Sequence, residues 1–67
     1  MKYTFRIDLE KAPNVFDTML VCVTEDLCKF QDCYKAVITG LMYAQTIQRA
    51  YWKYEEGFTH LIAEIKL

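Results

Sequence analysis

Between Asp32 and Tyr54 apolar residues recur at helical spacing, and they cover more of the helix surface than a small domain can hide. At about 100° per residue, Cys33, Val37, Gly40, Leu41, Ala44, Ile47 and Tyr51 form a core-facing stripe. Ala36, Tyr43, Ala50 and Tyr54 widen it on one flank, and Tyr34, Ile38 and Trp52 widen it on the other. The resulting arc spans roughly 240° at that turn angle. A helix lying on one sheet needs little more than about 100°. Only Lys35, Met42, Arg49 and Lys53, with Thr39 and Thr46, read as solvated. The surplus points to a partner surface, either a second copy of the chain or another protein.

Two strands frame this helix. Tyr3, Phe5, Ile7 and Leu9 alternate with Thr4, Arg6, Asp8 and Glu10, the period of a half-buried strand. From Thr59 to Leu67 the pattern repeats, with Leu61, Ala63, Ile65 and Leu67 inward and His60, Glu64 and Lys66 outward. Phe58 and Ile62 share the outer face, so that face is not wholly polar. Gly57 is placed to end the helix in a left-handed turn.

The segment from Ala12 to Phe30 reads two ways. Pro13-Asn14 marks a tight turn, and Thr18 to Thr24 is dense in β-formers, a second strand hairpin-paired with the first. Yet Val15, Phe16, Met19, Leu20, Val23 and Leu27 also fall at helical spacing, and Asn14 with Asp17 resembles a capping box. We favour the strand, because a third strand gives the long helix a proper sheet to cover. Glu25 to Phe30 is then a connector with a helical turn capped by Thr24. A break is expected near Phe30 to Asp32, since one helix from Glu25 to Tyr54 would be about 45 Å long.

Sixty-seven residues, 54% hydrophobic and 15% aromatic, suit a single compact domain over 1–67 and argue against disorder. A domain this small buries only about 60% of the surface its unfolded chain exposes, so association is one way to complete it. Net charge is −1, which supplies no basic field to recruit nucleic acid. Between Cys33 and Tyr54 the charges are Lys35, Arg49 and Lys53, a mildly basic aromatic element on an acidic body. No charged region followed by an apolar one reads as a signal peptide. The longest apolar run, Met19 to Val23, is too short for a bilayer. Three cysteines match no disulfide framework, so reduced thiols and a cytoplasmic setting are expected.

Chemistry-bearing constellations are weak. The chain has no serine and one histidine, so a nucleophile would need a cysteine with His60 as base. His60 falls on the outer face of its strand, and Cys33 falls on the core side of the helix. Cys22, Cys28, Cys33 and His60 lack the C-x-x-C knuckle of a zinc site, and no metal or other cofactor is expected. Glu25/Asp26 and Glu55/Glu56 read as solvated helix-end charge, the latter on the unfavourable side of the helix dipole. Neither glycine stands where a phosphate-binding loop needs one. Gly40, mid-helix, is expected to let the helix approach the sheet closely.

The expected architecture is α+β: β-β-α-β, with one long helix packed on a three-stranded sheet, or alternatively β-α-α-β. No enzyme is expected. In size and layout alone the chain resembles the small single-domain inhibitors and regulators of phages and mobile elements, such as anti-CRISPR and host-polymerase inhibitors. That resemblance implies a non-enzymatic protein-binding module acting by steric occlusion through the helix flanks, or a homodimer sharing them. Trp52, Tyr54 and Tyr43 would anchor the partner, and Arg49 and Lys53 would orient it, a composition enriched at binding hot spots. The alternative is an RNA or single-stranded nucleic-acid binder that stacks bases on the same aromatics.

Overall fold

The computed structural model describes residues 1–66. The alternating N-terminal run forms β1 (Lys2–Ala12), and the β-former-rich segment after it forms β2 (Val15–Thr24). They pair antiparallel around the Pro13-Asn14 corner, where Asn14 takes a positive φ of 62°, a conformation Asn tolerates. The strand reading of Thr18 to Thr24 therefore holds, with the strand beginning earlier, at Val15, and the β-α-α-β alternative falls. Residue Val21 is an extra residue in β2 between the pairs Phe5↔Cys22 and Arg6↔Leu20, a bulge near the middle of the edge.

The helix differs from expectation. It is α1 (Leu27–Tyr43), it starts earlier than Asp32, and it runs through Phe30–Asp32 without a break. Asp26, not Thr24, is the N-cap: its Oδ1 accepts from the backbone N–H of Cys28 at 2.9 Å and of Lys29 at 3.3 Å. Thr24 supports the cap by accepting the Asp26 N–H through Oγ1. The helix stops well before Tyr54. The Gln45 N–H donates to the Met42 carbonyl and the Thr46 N–H to the Leu41 carbonyl, with Gln45 at φ 56°. This is a Schellman end with glutamine in the left-handed position usually held by glycine.

Past that end the chain becomes β3 (Ile47–Glu55) and then β4 (Phe58–Lys66). The sheet thus has four strands, not three, in the order β2-β1-β4-β3. β4 runs parallel to β1 and antiparallel to β3. Gly57 does not end the helix. It closes the β3–β4 hairpin beside Glu56, both with positive φ (80° and 46°), as a two-residue turn of the primed type requires. The inward place expected for Leu67 lies outside the described residues.

All the layering is on one side of the sheet. α1 packs over β1 and β2. The core consists of Phe5, Ile7, Leu61, Ala63 and Phe30, with Tyr3, Cys22, Cys33, Tyr34, Val37, Ile38, Leu41 and Ile65 packed against it. Cys33, Val37 and Leu41 keep the stripe positions read from the sequence. Ala44 is the C-cap, whereas Ile47 and Tyr51 belong to β3. Gly40 does not touch the sheet: it is exposed, and a Cβ built there meets nothing within 4 Å. β4 is central and buried through Leu61, Ile62 and Ala63.

Candidate protein-binding surface

The five residues expected to bind a partner do not share a helix face. Four of them sit on β3, where side chains alternate between the two sides of the sheet. Trp52 pairs with Leu61 and Tyr54 with Thr59 on the side covered by α1, whereas Arg49 pairs with Glu64 and Lys53 with His60 on the open side. Trp52 is half engaged in the core, with its ring 6.0 Å from Phe30 and 5.9 Å from Tyr34, both edge-on. Tyr54 and Tyr43 are largely exposed. Tyr43 ends α1 beside a shallow hollow shared with Thr39 and Met42.

On the open side, most charges are already matched. Arg49 Nε donates to Glu64 Oε1 at 2.9 Å, and its guanidinium lies 4.5 Å from the Tyr51 ring centroid. The Glu64 bond pushes Arg49 further above its ordinary range. Lys53 pairs with Glu55 at 2.9 Å and holds that carboxyl below its usual value. Asp8 accepts from Arg6 and from Thr18. Ile62, at the middle of this face, is wholly buried beneath its neighbours although no layer covers it. Arg6, Arg49 and Lys53 are thus committed to carboxylates, and they lie across the sheet from Trp52 and Tyr54. The aromatic and basic residues of 49–54 therefore do not share one face of the sheet.

His60 and the cysteines are also separated by the sheet. His60 hydrogen-bonds Thr4 Oγ1 through Nδ1 and stacks on Phe58 at 5.6 Å, on the open side. Cys22 and Cys33 pack into the core on the other side. A thiol–imidazole pair therefore has no geometry here. Among the described residues, no group of three or more His, Cys, Asp and Glu side chains could hold a metal ion.

What sequence reading missed is the exposed apolar edge that β2 forms. β2 is an edge strand, so one side of its backbone carries N–H and C=O groups without a strand neighbour. Val15, Phe16, Met19, Leu20, Val21 and Val23 are all exposed along it, with Met19 and Leu20 at 58% and 60%. Register puts Phe16, Leu20 and Val23 on the open side and Met19 on the helix side. Asp17 is its only charge, held by Lys11.

No family model, curated protein or solved structure matches this chain.

Natural edge strands are blunted by lysine, proline or inward-pointing charge. Between Val15 and Leu20, β2 has no lysine or proline; its one charge, Asp17 on the α1 side, is neutralised by Lys11, and only the bulge at Val21 interrupts the strand. The opposite edge, β3, carries Arg49, Lys53 and Glu55 and is blunted in the usual way. The two edges of one sheet thus differ: β3 carries several charges, whereas β2 exposes mostly aliphatic side chains. The signal was present in the sequence as Met19-Leu20-Val21-Cys22-Val23, an apolar run in a hairpin strand that has too few partners to bury it.

Proposed function

We propose that the chain is a non-enzymatic protein-binding module that works by covering a surface, in the manner of a small inhibitor or regulator. The observation that carries this reading is the unpaired apolar edge of β2. Exposed apolar side chains lie on both sides of that strand, and a contiguous patch larger than a few hundred Å² marks an interaction site. A partner that adds a strand satisfies the outer backbone groups of β2 and covers both of its sides at once. Tyr43, at the end of α1, is free to extend such a contact, whereas Tyr54 lies on the opposite edge of the sheet and Trp52 is partly used by the fold.

The matched charges of the open face support a protein partner over nucleic acid. Binding to phosphates would weaken steeply as salt rises, while an apolar strand interface would respond little. No helix of the described residues is long and apolar enough to cross a membrane. The test is affinity capture with the wild-type chain, Leu20→Lys and Tyr54→Phe. Capture that persists in high salt, survives in Tyr54→Phe and disappears in a folded Leu20→Lys supports the reading. Capture untouched by Leu20→Lys overturns it.

A further inference from the structure

We infer that the β2 edge pairs with β2 of a second copy, in an antiparallel two-fold dimer with one continuous eight-stranded sheet and the two α1 helices side by side. The inference rests on the protein-binding reading above and names its partner. Three features of the molecule meet at this dyad.

The first is the placement of the helix. α1 lies over β1 and β2, toward the exposed edge and not over the sheet centre. Neighbouring strands are about 4.8 Å apart. A two-fold just outside β2 therefore carries the two helices to about 10 Å from each other, the separation at which helices pack.

The second is the helix flank that faces this edge. Cys33 touches Cys22 of β2, and Tyr34 touches Trp52 of β3, which fixes the rotation of α1. At about 100° per residue, Ala36 and Gly40 then lie on the β2 side. Both are exposed, and the space beyond Gly40 is empty. A glycine in a helix costs up to about 1 kcal/mol relative to alanine, and close approach of a second helix gives Gly40, in the last turn of α1, a use. Gly40 is seven residues, about 10 Å of helix, beyond Cys33. That brings it roughly level with Thr18 and Met19, which lie about 10 Å of strand beyond Cys22.

The third is self-complementarity. Centring the two-fold on Thr18 sets Phe16 opposite Leu20 of the other copy on the open side, twice per dimer. It sets Asp17 opposite Met19, with Lys11 already neutralising the carboxylate. The bulge at Val21 ends the pairing run. A standard interface takes about 800 Å² from each partner, a large share of a 4720 Å² surface, and strand edge and helix flank together offer two adjoining elements for it. A dissociation constant on the order of micromolar is expected.

Sedimentation equilibrium of the wild type, Leu20→Lys and Gly40→Glu tests this, with circular dichroism confirming that each is folded. Thr18→Lys replaces Leu20→Lys if that variant unfolds. The expected result is a wild-type dimer at tens of micromolar, with both variants at least about tenfold weaker. A wild type that stays monomeric throughout overturns the dimer, and capture of a foreign protein through β2 would then keep the binding-module reading alone. A dimer unchanged in either variant also overturns the arrangement.

Discussion

The Trp52 indole stands at 90° to the Tyr34 ring with centroids 5.9 Å apart, joining β3 to α1 across an aromatic cluster centred on the buried Phe30. Helical spacing alone makes the two residues neighbours on one flank of a single helix. They are neighbours in space, but on two different elements. This contact gives the last hairpin its hold on the helix.

Trp52→Ala is expected to destabilise the fold by about 2 kcal/mol, less than the full cost of a buried Trp→Ala, because the residue is 46% exposed. Tyr54→Ala, at 70% exposure, should fall within about 0.5 kcal/mol of wild type, as for surface substitutions. Urea unfolding monitored by far-ultraviolet circular dichroism measures both. Equal losses would mean that the aromatic cluster does not hold β3.

Gln45 occupies a left-handed backbone position that costs a side-chain-bearing residue about 1–2 kcal/mol. Gln45→Gly should therefore stabilise the domain by about 0.5–1 kcal/mol, after allowing for the greater freedom of glycine in the unfolded chain. A raised thermal midpoint with unchanged cooperativity is the expected reading. A lowered midpoint would show that the glutamine side chain contributes more than its backbone strain costs.

These two residues also explain why the sequence misled about the helix. From Cys33 to Tyr54 the apolar residues fit a period of 3.6, but from Arg49 onward they equally fit a period of 2, with Ala50, Trp52 and Tyr54 against Arg49, Tyr51, Lys53 and Glu55. No glycine or proline separates Ala44 from Ile47, so the Schellman end has no sequence signal; tertiary packing decides it. Glu56-Gly57 serves equally as a helix end or a hairpin corner, and the reading of Gly57 followed from that of the helix. The first and last strands, which lie at the centre of the sheet, are legible because Tyr3 to Glu10 alternates cleanly and Thr59 to Lys66 does so apart from Ile62. Ile62 on the outer face was the clue to a fourth strand, because a central strand buried on both sides reads as an unbroken apolar run. The aromatics are conspicuous in the sequence, whereas the exposed aliphatics of β2 become visible as a surface only once the strand order is known.

Asp26→Ala removes the oxygen that accepts both first-turn N–H groups. A loss of about 1 kcal/mol is expected for a capping aspartate. Asp26→Asn, which retains an acceptor, should recover most of it. Chemical denaturation of the pair against wild type measures the difference, and equal losses in both variants would place the effect in the charge instead of the hydrogen bonds.

Cys33 links pH to stability through its thiol. Burial, and secondly its hydrogen bond and charge interaction with Cys22, push it above the ordinary thiol value of 9.0. The folded chain then holds this proton to higher pH than the unfolded chain does. Its contribution to stability is fully present below the ordinary thiol pKa and is lost as pH rises through the folded value. The unfolding midpoint should therefore be insensitive to this group near neutrality and decline on the alkaline side, with the decline smaller in Cys33→Ala. At neutral pH, mass-mapped alkylation should modify exposed Cys28 well before Cys33. Equal rates at the two thiols, or an alkaline limb unchanged in Cys33→Ala, would show that Cys33 ionises as freely in the fold as in the unfolded chain.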